Sequence, residues 1–399
     1  MLKASERSQG VNYAIREVVV PARKLEKEGI KVLRLNIGDP NKYDFDTPKH
    51  MKKALYDASL EGYNGYSASE GEIELREEII KREKKRNSVD YETDDICVCS
   101  GVTESLQILL NASLDPKDEL LIPGPTYPQY TLLTHFNNAS PVAYRCIEEE
   151  DWQPDVDDIR KKITGKTKGF VLINPNNPTG ALYSKKVVKE IIDVAGENNI
   201  PIISDEIYDD MVFDEKQYAT ATLAGDVPVI TFNGFSKVYL VPGWRMGYTL
   251  FHHNGELDEI QDAFMRIARS RLCANSVCQR ACIQALKGPQ DHIDEVNKKL
   301  RERRDFSYKR LNEIEGISTA KPQGAFYIFP KIEAMDSGIW KDDKEFVLDL
   351  LHTKHVLVVH GSGFCSTYGK DHFRAVILPT MDMLGEAFDK LEDFLKEKL

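Results

Sequence analysis

The chain has 399 residues, of which 41% are hydrophobic and 29% are charged. This composition is typical of a globular protein and excludes a disordered or fibrous chain, and the length suits two lobes or one large α/β unit. The formal net charge of −11 provides no overall basic field for nucleic acid or anionic lipid, although a few local cations could still bind an anionic substrate.

The N-terminal segment, residues 1–48, contains no apolar core of signal-peptide length. No apolar run in the chain approaches the ~20 residues that a membrane-spanning helix needs. The seven cysteines are an odd number in a long chain, which favours free thiols in a reducing compartment over a disulfide framework. We therefore expect a cytoplasmic protein that does not bind membranes.

From residue 95 onward, short apolar runs alternate with helical patterns. Strands are predicted at 95–100, 118–123, 168–174, 200–204, 228–234 and 247–251. Ser184 is a candidate N-cap for the helical pattern that begins after it. Because the runs show little alternation of polar and apolar residues, they indicate a mostly parallel sheet covered by helices on both faces.

The pattern changes beyond residue 255. Two long helical stretches, at about 257–286 and 290–314, precede short apolar runs in GAFYIFP, VLVVH and HFRAVIL, and an amphipathic helix closes the chain. We predict an α/β protein with a large domain over 49–286. A smaller α+β domain is predicted from both termini, with 287–399 joined by the N-terminal segment 1–48.

Polar residues follow the predicted strands at the ends where ligands of open parallel sheets bind. They are Thr103, Tyr127, Asn177, Asp205, Tyr208 and Lys237. Each could have a purely structural role, such as shaping a turn at Asn177 or capping a helix at Asp205. Their joint placement at five strand ends instead indicates a single site.

The features of this site point to one cofactor. The helix start at Gly101–Val102–Thr103 offers free N–H groups to an anion, and Arg245 could add bidentate contacts. Neither GxxxxGK[ST] nor a complete GxGxxG after a strand is present, which favours a monophosphate. The combination of a lysine with a phosphate site, an aspartate and an aromatic ring indicates pyridoxal 5′-phosphate. The aldehyde of this cofactor forms a Schiff base with lysine, and its ring nitrogen needs an acidic partner.

Several motifs extend this interpretation to a family. They are LNIGDP (35–40), YSASEGEIELREEI (66–79), SGVTESL (100–106), PGPTYPQY (123–130), NPNNPTG (174–180), SDEIYDD (204–210), GFSKVYLVPGWRMGY (234–248), GAFYIFP (324–330) and FRAVILP (373–379). In these motifs, their order and their spacing, the sequence resembles the class I/II aminotransferases of PLP fold type I over nearly its whole length. Within that family it is most similar to microbial alanine aminotransferases, through stretches such as NPNNPTGALYSK and TFNGFSKVY.

The resemblance implies a role for each residue around the cofactor ring. Lys237 would form the Schiff base, and Asp205 would pair with the ring nitrogen. Tyr208 and Asn177 would hydrogen-bond the phenolic oxygen of the ring, and Tyr127 would stack on its face.

The resemblance also implies how the phosphate is held. The N–H groups of Val102 and Thr103 and the side chain of Arg245 would bind it, and Tyr66 would reach it from the partner subunit of a homodimer with shared sites. Many relatives place a phosphate-binding serine three residues before the lysine. This chain has Gly234 at that position and has a serine two residues later, Ser236. We therefore assign Ser236 to the cofactor site, but we assign no particular contact to it.

For the substrate, the resemblance implies that Arg374 grips the α-carboxylate, with help from the backbone at Gly38 and from Asn177. The implied reaction is ping-pong transamination, with L-alanine and 2-oxoglutarate giving pyruvate and L-glutamate. Aspartate, branched-chain or aromatic donors are alternatives. So is a PLP-dependent C–S β-lyase, because it begins with the same loss of the Cα proton.

Two further classes fit the sequence poorly. A DNA-binding regulator built on this fold would need an added basic domain, for which motifs beginning at residue 35 leave no room. The cysteine and histidine spacings do not match metal-ligand patterns. We therefore predict neither a nucleic-acid partner nor a metal site.

Overall fold

The computed structural model describes residues 3–9 and 13–399. The strands are β1 (Leu33–Arg34), β2 (Ile96–Cys99), β3 (Glu119–Gly124), β4 (Ser140–Ile147), β5 (Gln153–Pro154), β6 (Thr167–Ile173), β7 (Ile202–Asp205), β8 (Val229–Gly234), β9 (Gly247–His252), β10 (Ile317–Ser318), β11 (Tyr327–Ile328), β12 (Lys331–Ile332), β13 (Val356–Leu357), β14 (Val359–His360) and β15 (Phe373–Val376). The α-helices are α1 (Glu6–Gln9), α2 (Ala14–Glu17), α3 (Val19–Lys27), α4 (Lys49–Leu60), α5 (Ile73–Asn87), α6 (Val102–Ser113), α7 (Pro128–Phe136), α8 (Val156–Lys162), α9 (Lys185–Glu197), α10 (Thr220–Leu223), α11 (Asp258–Ser270), α12 (Ser276–Lys287), α13 (Asp291–Asn312), α14 (Asp343–Lys354) and α15 (Met381–Lys398).

The main sheet is mixed but mostly parallel. Its strand order is β2-β9-β8-β7-β6-β3-β4-β5. The strands from β8 through β4 are parallel to one another, β9 runs antiparallel to both of its neighbours, and β5 pairs antiparallel with β4 at the edge. The predicted fold class is confirmed.

Both faces of this sheet are buried. Along β6, Phe170 and Leu172 belong to one apolar cluster, whereas Val171 and Ile173 belong to another. Successive side chains of a strand point to opposite faces, so each cluster packs on its own side of the sheet. This two-sided burial is why the strands read as continuous apolar runs in the sequence.

The predicted strands of this sheet lie within two residues of the observed ones, and Ser184 caps α9 as predicted by accepting the Val187 N–H at 3.2 Å. Strand β4 was not predicted, because its side chains are only partly buried and their polarity is mixed. The helical stretch predicted at about 257–286 is not one continuous helix. The chain forms α11 and α12 instead, separated where Leu272 adopts a left-handed φ of 76°.

The remaining strands form small sheets, and one pair among them joins the two ends of the chain. Strand β1 pairs parallel with β13, while β14, β15 and β11 form an antiparallel sheet. The run VLVVH is therefore divided at Val358, because its first half pairs with the N-terminal segment and its second half pairs with β15. Both termini thus contribute to the smaller α+β part, while the domain boundaries at 48/49 and 286/287 stay predictions.

All seven cysteines lie in the described part of the chain, and each is a free thiol. Cys97 and Cys99 are two residues apart on β2 and belong to the same apolar cluster. Within residues 3–9 and 13–399, none of the helices combines the length and the apolarity that crossing a membrane requires.

Candidate active site

The ends of β6, β7 and β8 border a cavity of about 550 Å³. Every site residue predicted from the sequence lines this cavity except Tyr66: Gly38, Val102, Thr103, Tyr127, Asn177, Asp205, Tyr208, Ser236, Lys237, Arg245 and Arg374. Tyr66 lies outside it with 83% of its surface exposed. The structure thus brings together the predicted residues of one chain, and the role predicted for Tyr66 in a partner's site stays a prediction.

Lys237 follows β8 and points its amine into the cavity. The Nζ atom donates to the Gly38 carbonyl oxygen at 3.0 Å. Burial, together with the positive charge of Arg374, lowers the pKa of Lys237 to about 8. At pH 7 about a tenth of the amine is therefore unprotonated and can act as a nucleophile.

Asp205 is the last residue of β7, and its carboxylate is buried. Tyr130 donates its hydroxyl proton to Oδ2 at 2.8 Å, and the Ile207 N–H donates to Oδ1 at 3.2 Å. Burial raises the pKa of Asp205 to about 6, although both hydrogen bonds and the charge of Lys237 oppose this rise. Such a carboxylate is suited to a cationic partner inside the cavity, because a buried opposite charge favours its ionised form.

The start of α6 lies beside Arg245. Gly101 is the N-cap with a φ of 83°, and no side chain caps the helix, so its first N–H groups have no intrahelical partner. A Cβ atom at Gly101 would lie 2.6 Å from Nη2 of Arg245, so only glycine allows this close approach. Arg245 donates to the Pro242 carbonyl oxygen at 2.9 Å and forms no ion pair with another described residue.

Gly234 differs from the serine of many relatives for a steric reason. It pairs with Gly247 across β8 and β9. A Cβ atom at Gly234 would lie 2.7 Å from the Gly247 Cα and 2.8 Å from the Met246 carbonyl oxygen. Both neighbours are backbone atoms, so a serine does not fit there, and Ser236 supplies the nearby hydroxyl that lines the cavity.

Arg374 on β15 is a buried cation with neutral partners. It is 1% exposed and donates to Oδ1 of Asn177 at 2.9 Å and to the Asn36 carbonyl oxygen at 2.7 Å. The rings of Tyr327 and Phe364 lie 4.5 and 4.8 Å from its guanidinium carbon. Arg374 forms no ion pair within the described residues, which leaves it able to bind a carboxylate bidentately.

The lining residues that sequence reasoning missed include Tyr13, Arg16, Tyr130 and Tyr327. The hydroxyls of Tyr13 and Tyr127 are 2.9 Å apart, and those of Tyr327 and Tyr208 are 2.8 Å apart. Tyr327 lies inside the motif GAFYIFP and Tyr130 inside PGPTYPQY, so their motifs carried a signal. Tyr13 and Arg16 come from the N-terminal segment, where no motif marked them.

Comparisons with known proteins agree with this geometry. Residues 30–391 match the family model "Aminotransferase class I and II". The chain is 39% identical to the glutamate-pyruvate aminotransferase AlaA of Escherichia coli, over 99% of this chain and 98% of that protein. It is 32% identical to an aspartate aminotransferase of Bacillus subtilis, over 95% of each chain.

The structure also resembles solved ones over its full length. It aligns to an alanine aminotransferase from Pyrococcus furiosus with a TM-score of 0.97 and 59% identity, covering 99% of this chain and 100% of the other. The family model covers most of the chain, and the relatives match it over nearly its full length. The chain belongs to the class I and II aminotransferase family.

Proposed function

We propose that this aminotransferase transfers the amino group of L-alanine to 2-oxoglutarate, with pyridoxal 5′-phosphate bound in the cavity. One observation carries the proposal. Three arginines, Arg16, Arg245 and Arg374, line the cavity with Lys237 and Asp205, and none of the three forms an ion pair with another described residue. The phosphate of the cofactor and the two carboxylates of glutamate are three anions that match these three cations.

The residues present fit the cofactor. The uncapped start of α6 and Arg245 would hold its phosphate, with Ser236 beside them. Asp205, buried and without an arginine partner, would face the ring nitrogen, because burial strengthens attraction to that cation. Tyr127 would lie on the ring face, and Tyr208 would donate to the phenolic oxygen.

Lys237 would carry both the covalent attachment and the proton movement. When bound, the cofactor supplies an aldehyde and an electron-withdrawing ring. The lowered pKa of Lys237 would leave its amine able to hold the aldehyde and, once the amino group of the substrate has replaced it there, to take the proton from the substrate Cα. General acid–base help of this kind typically contributes ~10²–10⁴-fold to the rate.

Substrate choice would follow from the two other arginines. Arg374, held by Asn177 and the Asn36 carbonyl oxygen, would bind the α-carboxylate that every amino acid shares. Arg16 would bind the second carboxylate of glutamate or 2-oxoglutarate. Alanine has no group for Arg16, so one site can accept both substrates in turn. The alanine and glutamate-pyruvate aminotransferases among the relatives support this pair over aspartate.

A homodimer with shared sites is part of the proposal. Large exposed apolar side chains surround Tyr66 in the chain: Tyr56, Leu60, Tyr63 and Ile73. Leu272 is also exposed, and its neighbour Arg271 donates to the Ser69 carbonyl oxygen at 3.1 Å, which places it near the same segment. Exposed apolar groups clustered in this way are typical of a protein interface.

The substrate proposal is tested by steady-state kinetics on the wild-type protein and Arg16→Gln. We expect alanine with 2-oxoglutarate to exceed aspartate with 2-oxoglutarate in kcat/KM. In Arg16→Gln, loss of a charge-assisted contact should raise KM for 2-oxoglutarate and glutamate by about 10–100-fold and change KM for alanine less than about twofold.

The control is Arg23→Gln, which removes the same charge from an exposed position on α3 outside the cavity. It should leave both KM values as in the wild type. A higher kcat/KM for aspartate than for alanine would contradict the alanine assignment. An equal rise of KM for alanine and 2-oxoglutarate would contradict the role of Arg16.

A further inference from the structure

We propose that the hydroxyl of Tyr327 is a positioning group that sets the direction of the hydrogen bond made by Tyr208. Tyr327 donates its proton to the Tyr208 oxygen, and Tyr208 thereby directs its own proton to the phenolic oxygen of the cofactor. The inference rests on the proposed function, because it takes from it the contact between Tyr208 and the cofactor.

The first argument is a count of protons. The two hydroxyl oxygens are 2.8 Å apart, and both side chains are buried. Each hydroxyl has a single proton, so only one of the two can donate across this distance. If Tyr208 donated to Tyr327, it would have no proton left for the cofactor. If Tyr208 donates to the cofactor, Tyr327 must therefore be the donor in the hydrogen bond between the two tyrosines.

Second, in the part of the chain that the structure describes, the Tyr327 hydroxyl has a single hydrogen-bonding partner. Within the described residues, its hydroxyl makes a hydrogen bond to Tyr208 alone. A Cβ atom at Gly38 would lie 2.4 Å from the Tyr327 oxygen, so the absence of a side chain at Gly38 leaves room for this hydroxyl. Because a buried unpaired hydroxyl is costly, the proton of Tyr327 is directed to Tyr208.

The third argument concerns the ring of Tyr327, which lies on the substrate side. The guanidinium carbon of Arg374 is 4.5 Å from the ring centroid, and β11 pairs with the strand that carries Arg374. Tyr327 thus contacts the proposed carboxylate site with its ring and the proposed cofactor site with its hydroxyl. The substitution Tyr327→Phe removes the second contact and retains the first.

The expected effect appears in the titration of the bound cofactor. A hydrogen bond donated to the phenolic oxygen favours the deprotonated form of the lysine–cofactor linkage, in which that oxygen carries more negative charge. Donation from Tyr327 polarises the Tyr208 hydroxyl and strengthens this bond. Removing the Tyr327 hydroxyl should therefore raise the midpoint of the titration.

The experiment follows the absorption band of the holoenzyme from pH 5 to pH 10 in wild type, Tyr327→Phe, Tyr208→Phe and the double variant. We expect Tyr327→Phe to raise the midpoint by about half a unit, and Tyr208→Phe to raise it more. The double variant should match Tyr208→Phe, because Tyr327 acts through Tyr208. In Tyr327→Phe, kcat should fall about 3–10-fold while KM for alanine changes less than about twofold.

The control is Tyr144→Phe, which removes a buried hydroxyl that donates to the Val171 carbonyl oxygen at 2.7 Å, away from the cavity. It should lower thermal stability without moving the midpoint.

An unchanged midpoint in Tyr327→Phe, or an equal shift in the wild-type and Tyr208→Phe backgrounds, would overturn the inference. If Tyr208→Phe itself left the midpoint unchanged, the cofactor contact in the proposed function would be wrong instead. Should Tyr208→Phe fail to fold, the comparison of Tyr327→Phe with Tyr144→Phe still decides.

Discussion

Glu206 follows Asp205 in the chain, and its side chain is 1% exposed. Its Oε1 atom accepts hydrogen bonds from the Ser204 hydroxyl at 2.8 Å and from the Thr220 N–H at 2.9 Å. Burial raises the pKa of Glu206 to about 7, with Asp209 and Glu83 adding like charges nearby. This carboxyl is therefore protonated in the folded protein over a pH range in which it is ionised in the unfolded chain.

The consequence for stability has a definite sign. Between the usual carboxyl range and about pH 7, the folded protein holds a proton that the unfolded chain has lost. The free energy of unfolding therefore falls as the pH rises through this window. We predict that Glu206→Gln, which keeps the acceptor oxygen, raises this free energy at pH 8 by about 1–3 kcal/mol and changes it little at pH 4.5.

Urea unfolding at both pH values measures the effect. Glu315→Gln, at an exposed carboxylate, is the matched control and should shift the midpoint at neither pH. A variant that is less stable than the wild type by the same amount at pH 4.5 and pH 8 would show that Glu206 acts through packing and not through its charge.

At the scale of elements, the six predicted strands were readable because parallel strands buried on both faces are continuous apolar runs. Their ends also identified Lys237, Asp205 and Asn177, since ligands bind at that edge of the sheet. Arg16 and Tyr327 were not readable in this way. Arg16 reaches the cavity only through packing of the N-terminal segment. The contact of Tyr327 with Tyr208 joins β11 to the turn that follows β7, and periodicity does not encode such a contact.

The division between α11 and α12 shows a local signal that the 3.6-residue periodicity concealed. Asn275 caps α12, and its side-chain oxygen accepts the Cys278 N–H at 3.0 Å. An asparagine at this position signals the start of a helix. The periodic apolar pattern nevertheless continues from α11 into α12 across Asn275. The cap, together with the left-handed Leu272, ends one helix and begins the next.

We predict that Asn275→Ala lowers the free energy of unfolding by about 1 kcal/mol, because the first N–H groups of α12 lose their side-chain acceptor. Asn275→Ser provides a hydroxyl acceptor at the same position and should lower the free energy of unfolding by only a few tenths of a kcal/mol. Urea unfolding of the three proteins at one pH gives the comparison. Equal losses in the two variants would mean that the asparagine contributes through a contact other than the cap.

At the scale of the whole molecule, the cavity draws on distant parts of the chain. Strand β1 pairs with β13, the Tyr13 hydroxyl meets that of Tyr127, and Arg374 from β15 meets Asn177 from the main sheet. The cavity therefore forms only when the N-terminal segment and both sheets are in place. If the proposed dimer is correct, Tyr66 extends this dependence to a second copy of the chain.

Shared sites make a prediction that separate sites do not. Take two inactive variants, Lys237→Ala and Tyr66→Ala, and assemble them together in equal amounts. In a mixed dimer, one site combines Lys237 of the Tyr66→Ala chain with Tyr66 of its partner, so it is wild type, while the other site carries both changes. Random assembly makes half of the dimers mixed, which should restore roughly a quarter of the wild-type activity from two preparations that have almost none.

If each site used its own Tyr66, every site in the mixture would carry one change and no activity would return. Assay of the refolded mixture, with each variant refolded alone as its control, distinguishes the two arrangements.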